Sequence, residues 1–286
     1  MTSTLVRADT RADLRGCLAS FSGKVVLVPT MGALHAGHEA LVRRARDEAG
    51  AEGAVVVSIF VNPTQFAPGE DLDRYPRTLE SDLEACAAAG ADVVFTPDVE
   101  EVYPAGLSDG VSVAPGVLGT ILEGESRPTH FAGVLTVVAK LFGLVRPDVA
   151  VFGQKDYQQL ALITAMAAEL CLGVEVLGAE TVREPDGLAL SSRNRFLDPI
   201  QRKHALALSS ALVAGRESAV GGASAALAAA EQVLAAAEGI DLDYIALRAV
   251  DLGPTPDDGE ARMLVAARVG STRLIDNTAV MIGKPA

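Results

Sequence analysis

Tryptophan is missing from the 286 residues and the other aromatics are few, so any core must be built mainly from Ala, Val and Leu. Lysine is scarce as well, five residues against nineteen arginines, and no basic block occurs. With a formal net charge of −13 the surface repels phosphate backbones, which argues against a nucleic-acid partner. The three cysteines, Cys17, Cys86 and Cys171, lie far apart without a CxxC pair; this favours reduced thiols over a disulfide framework or zinc ribbon. No apolar stretch reaches membrane-spanning length without Gly, Pro or charge, and "MTSTLVRADTRADLRG" has charges where a signal peptide needs an apolar run. The expectation is a soluble, cytoplasmic protein with no membrane partner. GxGxxG, GxxxxGKS/T and nucleophile-elbow patterns are absent too, so dinucleotide redox chemistry and covalent catalysis lose support.

What is present is an alternation of short β-branched runs and longer helical patterns. "KVVLVP" (24–29), "AVVVSIFV" (54–61), "ADVVFTP", "DVAVFG" and "GVEVLGAE" read as strands, the central ones apolar on both faces. Between them "HEALVRRARDEAG", "TLESDLEACAAAG", "GVLTVVAKLFGLV" and "DYQQLALITAMAAEL" read as helices. This predicts an α/β fold, a Rossmann-like doubly wound parallel sheet over 1–182. Beyond Val182 the pattern changes to two helices and then three strands joined by turns, which predicts a smaller C-terminal α+β domain over 183–286. Ala-rich "GGASAALAAAEQVLAAAEG" reads as a helix, since Leu and Val recur at helical spacing.

Polar groups gather where predicted strands end, the place where open α/β sheets bind ligands. In "PTMGALHAGHEAL" (29–41), His35 and His38 follow the first strand, and Gly37 between them lets backbone approach closely. They could be metal ligands, phosphate donors at a helix N-terminus, or caps. Metal ligation lacks a third ligand at workable spacing. A cap alone is disfavoured because three of the four histidines fall in strand-end segments or along the same edge. "FVNPTQF" adds the neutral amides Asn62 and Gln65, and "EGESRPTHFAGV" adds Arg127 and His130. "VFGQKDYQQL" places Lys155, Asp156 and Gln159 after another strand, and "GLALSSRNRFL" brings Ser191, Ser192 and Arg193 at the domain boundary, as a lid would. Such a set suits phosphoryl or nucleotidyl transfer, in which positioning and charge stabilisation dominate.

The two-histidine segment is similar to the HxGH signature of the nucleotidyltransferase superfamily, and "LSSRN" stands where its second, KMSKS-like signature falls. With "FVNPTQF", "RPTHFAGV", "VFGQKDYQQL" and "REPDGLALSSRN" in this order, the chain resembles the pantoate–β-alanine ligase family along essentially its whole length. The resemblance implies an ATP- and Mg²⁺-dependent condensation of (R)-pantoate with β-alanine through pantoyl adenylate, in a cytoplasmic homodimer. By the same resemblance, His35 and His38 contact the ATP phosphates, Lys155 binds phosphate oxygens, and Ser191, Ser192 and Arg193 close over the β- and γ-phosphates. Pro29, Thr30, Met31, Gly37, Gly153, Asp156, Val182 and Leu190 complete the nucleotide pocket, with Gly153 and Asp156 meeting the ribose. Met31, Asn62, Gln65, Gln159 and His130 are assigned to the pantoate end. The family's acidic patch appears here as "LESD", which leaves Asp82 as the magnesium candidate, acting through water. A tRNA-charging enzyme and a simpler adenylyltransferase share the first signature; the chain is too acidic for the former, and the amide-bearing segments argue against the latter.

Overall fold

The computed structural model describes residues 5–67 and 69–283. Six strands, β1 (Val6–Ala8), β2 (Val25–Thr30), β3 (Ala54–Ile59), β4 (Val93–Phe95), β5 (Val149–Gly153) and β6 (Glu175–Ala179), form one sheet. Their order is β1-β4-β3-β2-β5-β6 and every pair is parallel. The helices are α1 (Arg11–Leu18), α2 (Ala36–Ala49), α3 (Leu79–Ala89), α4 (Val99–Val102), α5 (Glu123–Ser126), α6 (His130–Val145), α7 (Tyr157–Glu169), α8 (Pro199–Ser218) and α9 (Ala223–Ala236). No helix among the described residues is long and apolar enough to cross a membrane.

Val26, Leu27 and Val28 of β2 and Val55, Val56 and Val57 of β3 are fully buried, as central strands covered on both faces must be. On one face the sheet packs against Leu41, Val42 and Ala45 of α2 and Cys86 and Ala89 of α3. Helix α6 is apolar almost all round because it is buried almost all round, from Phe131 to Val145. Strand order reverses between β2 and β5, so their carboxyl ends flank the crevice where open sheets of this kind take ligands.

By its internal contacts the chain divides into two compact units, Met1–Gln154 with Leu162–Glu180, and Lys155–Ala161 with Thr181–Ala286. The second unit holds an antiparallel sheet of β7 (Ile240–Ala249), β8 (Gly259–Val269) and β9 (Thr272–Ile282), with α8 and α9 packed against it. Its alanines are explained by packing. Ala205 and Ala211 of α8 and Ala226 and Ala230 of α9 are fully buried, and small side chains let helices approach closely. Asp198 caps α8 in a capping box with Gln201, and Pro199 occupies the first turn.

β1, α1 and the short helices α4 and α5 escape sequence reading. β1 is only three residues long and reaches the sheet through β4, Val6 opposite Val93, with no apolar run to announce it. Its successor α1 opens on a Thr10–Asp13 capping box. The helix read from Gly133 onward starts earlier, with His130 in the first turn of α6.

Helix α6 touches the 3₁₀ turn Pro63–Gln65 at Gly133. A Cβ there would sit 2.4 Å from the Thr64 carbonyl oxygen and 2.7 Å from Gln65 Cα, both backbone atoms. Gly133→Ala therefore cannot be absorbed by a side-chain rotation. It is expected to cost about 1–3 kcal/mol in denaturant unfolding through overpacking, and an unchanged midpoint would show that the turn yields freely.

Candidate active site

Helix α2 starts directly beyond β2, and His35 is its N-cap, with extended backbone. His35 Nδ1 accepts the Gly37 N–H at 3.1 Å, and His38 Nδ1 accepts the His35 N–H at 3.4 Å. The capping that sequence reasoning set aside is thus present, and it has a chemical consequence. A ring nitrogen that accepts from backbone N–H carries no proton, so each imidazole bears its proton on Nε2. The two rings lie 4.1 Å apart, tilted by 35°. The helix N-terminus therefore presents two neutral donors beside its own dipole, an arrangement suited to anions.

The approach to α2 is bent, with positive φ at Gly32 (85°) and Ala33 (52°), while Gly37 lies within the helix. Thr30, at the end of β2 beside Pro29, donates to the Ser58 carbonyl at 2.8 Å and accepts the Gly32 N–H. Asp82 of α3 holds the rest of the bend. Its carboxylate accepts the Leu34 N–H at 2.8 Å, the Ala33 N–H at 3.0 Å and the Thr78 hydroxyl. The charge of Asp82, after burial as the larger cause, also pushes the Cys86 thiol up to about 12.

The amide segment forms a linked set. Asn62 Nδ2 donates to Gln65 Oε1 at 3.1 Å, and Gln65 Nε2 lies 3.1 Å from the Met31 sulfur. His130 Nδ1 lies 3.0 Å from the Gln65 carbonyl, which can only accept, so this nitrogen carries a proton, unlike Nδ1 of His35 and His38. Arg127 grips Glu70 with two bonds of 2.8 Å, and this guanidinium holds the Glu70 carboxyl below its ordinary value. Met31, Asn62, Gln65, Arg127 and His130 are thereby tied into one network within the first unit.

The second unit carries Lys155, Asp156, Gln159, Val182, Leu190, Ser191, Ser192 and Arg193. Gly153 ends β5 just before them. Lys155 follows as part of a 3₁₀ turn, its Nζ 3.9 Å from Asp156. Its carbonyl accepts Asn277 Nδ2 at 2.8 Å, and Asn277 Oδ1 accepts Arg262 Nε at 2.7 Å. The Arg262 guanidinium lies 4.2 Å from the Tyr157 ring centroid. The Leu190 N–H bonds the Val182 carbonyl at 2.9 Å, closing a turn that ends in Ser191, whose hydroxyl accepts the Arg193 N–H. Arg202 braces this turn through Glu184 and Asp186, and holds the Glu184 carboxyl low.

Magnesium does not fit a protein-held site here. Both Asp82 oxygens already accept protein hydrogen bonds, and the residue is 2% exposed. Among the described residues no three His, Cys, Asp or Glu side chains are grouped to hold a metal. Ser81, the hydroxyl residue within "LESD", donates to the Thr78 carbonyl.

Tyr103, Glu70, Arg262 and Asn277 support these groups and were missed. Asn277 carried a signal: the adjacent polar pair Asp276–Asn277 interrupts a buried strand. Tyr103 carried none.

A family model described as pantoate-beta-alanine ligase matches residues 6–279. A pantothenate synthetase of Nocardioides sp. (strain ATCC BAA-499 / JS614) is 61% identical over 99% of this chain and 87% of its own length. That of Mycolicibacterium smegmatis is 58% identical over 98% of this chain and 87% of its own. Among solved structures, pantothenate synthetase from Thermus thermophilus superposes with a TM-score of 0.86 at 48% identity, covering 96% of this chain and 98% of that one. Pantoate-beta-alanine ligase from Francisella tularensis, complexed with beta-gamma ATP and beta-alanine, gives 0.78 at 33% identity, covering 96% and 97%.

The Arg127–Glu70 pair predicts a pH dependence. A carboxylate whose folded pKa is lowered contributes stability above its unfolded pKa and loses it as the pH falls through the folded one. Glu70→Gln should cost about 1 kcal/mol at neutral pH. The gap between variant and wild type should close as the pH falls through and below the ordinary glutamate range. A gap that persists in strong acid would rule out the ion pair as its source.

Proposed function

The chain belongs to the pantoate–β-alanine ligase family, and on that premise we propose that it condenses (R)-pantoate with β-alanine through a pantoyl-adenylate intermediate. In the first step a pantoate carboxylate oxygen attacks the α-phosphorus of ATP, the bond to the bridging oxygen breaks, and diphosphate leaves. In the second the amine of β-alanine attacks the acyl carbon and AMP leaves with the bonding pair. No enzyme nucleophile is required, which agrees with the missing nucleophile elbow.

The observation that carries this reading is the histidine pair at the start of α2, with both rings locked by backbone N–H groups into Nε2–H donors. Charge builds on phosphoryl oxygens as the α-phosphorus becomes pentacoordinate, and fixed donors stabilise it without reorganising. His35 and His38 fill this role. Lys155, with Ser191, Ser192 and Arg193, takes the phosphates being displaced; Pro29, Thr30, Gly37, Gly153, Asp156, Val182 and Leu190 serve the nucleotide. Gln65 and Gln159 hold pantoate, with Met31, Asn62 and His130 beside it. Any magnesium would be held by the triphosphate rather than by this chain, and Asp82 keeps the bend before α2 in place. The family reading also carries a homodimer and a cytoplasmic location.

Two measurements test this. Diphosphate should form from ATP only when pantoate is present, and the amide only when β-alanine is added. Diphosphate release with nicotinamide mononucleotide or phosphopantetheine, and none with pantoate, would overturn the assignment. His38→Ala and Lys155→Ala should each lower turnover by about 10²–10³, as for loss of one charge-stabilising donor, while the fold survives. Wild-type turnover in both would remove the phosphate roles.

A further inference from the structure

Asn62 is 1% exposed and Gln65 8%, so the orientation of each amide must be fixed by its neighbours. Two backbone groups orient Asn62. The Gly133 carbonyl can only accept, and it lies 3.2 Å from Nδ2; the Thr64 N–H can only donate, and it faces Oδ1 at 3.4 Å. The Tyr103 hydroxyl donates to the same Oδ1 at 2.8 Å, and the Thr64 hydroxyl lies 3.0 Å from it. These two hydroxyls are themselves 3.1 Å apart. Since each has one proton and they cannot donate to one another at once, Asn62 Oδ1 receives at least one of the two. Asn62 Nδ2 must then face Gln65, which has to answer with its oxygen.

That leaves Gln65 Nε2 on the far side, against the Met31 sulfur, a weak acceptor that a ligand oxygen outcompetes. We infer that Tyr103 is a positioning residue for the acid substrate: through Asn62 it fixes the Gln65 amide so that Gln65 meets pantoate oxygen as a donor. The inference rests on the proposed role of Gln65. Tyr103 is well placed to hold this post. It is 5% exposed, its ring lies 6.3 Å from Phe60, and Lys140 sits 4.9 Å from its ring centroid. Burial, partly offset by the Thr64 bond, pushes its hydroxyl above the ordinary phenol value, so the donor proton persists across the working pH range.

Tyr103→Phe removes the hydroxyl and keeps the ring. The KM for pantoate should rise about tenfold, the size expected for one hydrogen bond, while the KM for ATP and the melting temperature stay near wild type. Thr64→Val should act in the same direction, and serves if the first variant fails to fold. Gln65→Ala supplies the control. If it leaves the pantoate KM unchanged, the role of Gln65 fails. If it raises that KM while Tyr103→Phe and Thr64→Val do not, the relay fails. Equal losses for pantoate and ATP with a lowered melting temperature in the Tyr103 variant would make the hydroxyl structural and overturn the inference.

Discussion

A backbone group withdrawn from water needs a partner, and in this protein that requirement orients several of the candidate side chains and their supports. The N–H groups of Gly37 and His35 occupy the Nδ1 atoms of His35 and His38, so the donors point from Nε2. The Gly133 carbonyl and the Thr64 N–H, together with the Tyr103 hydroxyl, settle the amide of Asn62, and through it that of Gln65. The N–H groups of Ala33 and Leu34 are met by Asp82, and the Lys155 carbonyl by Asn277. None of these side chains needs a shifted pKa to be useful. Each is oriented by a partner that cannot itself change role.

This constraint also explains why glycines and small residues sit where they do. Gly133 has no Cβ because α6 must come close enough for its carbonyl to reach Asn62. Gly32, at φ 85°, makes the turn that delivers Ala33 and Leu34 to Asp82, and a Cβ there would lie 3.0 Å from the Asp82 carboxylate. Packing and polar satisfaction are therefore a single problem at this edge of the sheet. A change at Gly133 acts on Gln65 twice, directly at its Cα and through Asn62.

The alternation of apolar runs with helical periods was enough to read the parallel sheet, because β2 and β3 are buried on both faces and their sequences say so. β1 was not legible, since three residues at a sheet edge leave no period. The candidate residues stood out where composition was unusual: two of four histidines close together, a rare lysine after a strand, serines beside an arginine. Their supports did not, since the link between Tyr103 and Asn62 spans 41 residues and that between Asn277 and Lys155 spans 122. Spacing rules see neighbours along the chain, whereas these partners are brought together only by the fold.

The acidic balance of the chain sharpens the role of neutral donors. A triphosphate approaching a protein of net charge −13 is opposed by the overall field, and screening in salt weakens that field beyond about 10 Å. Recognition must then come from groups within hydrogen-bond reach. Few cations are available for it: Arg127, Arg183 and Arg202 are engaged with Glu70, Asp276 and Glu184, and the proposed phosphate contacts rely on Lys155 and Arg193 alone among cations. Imidazole Nε2–H, amide N–H and a helix N-terminus bring partial positive charge without attracting a carboxylate of the protein itself. In the proposed role, a histidine whose Nδ1 is held by a backbone N–H would keep its Nε2–H donor when the anion departs.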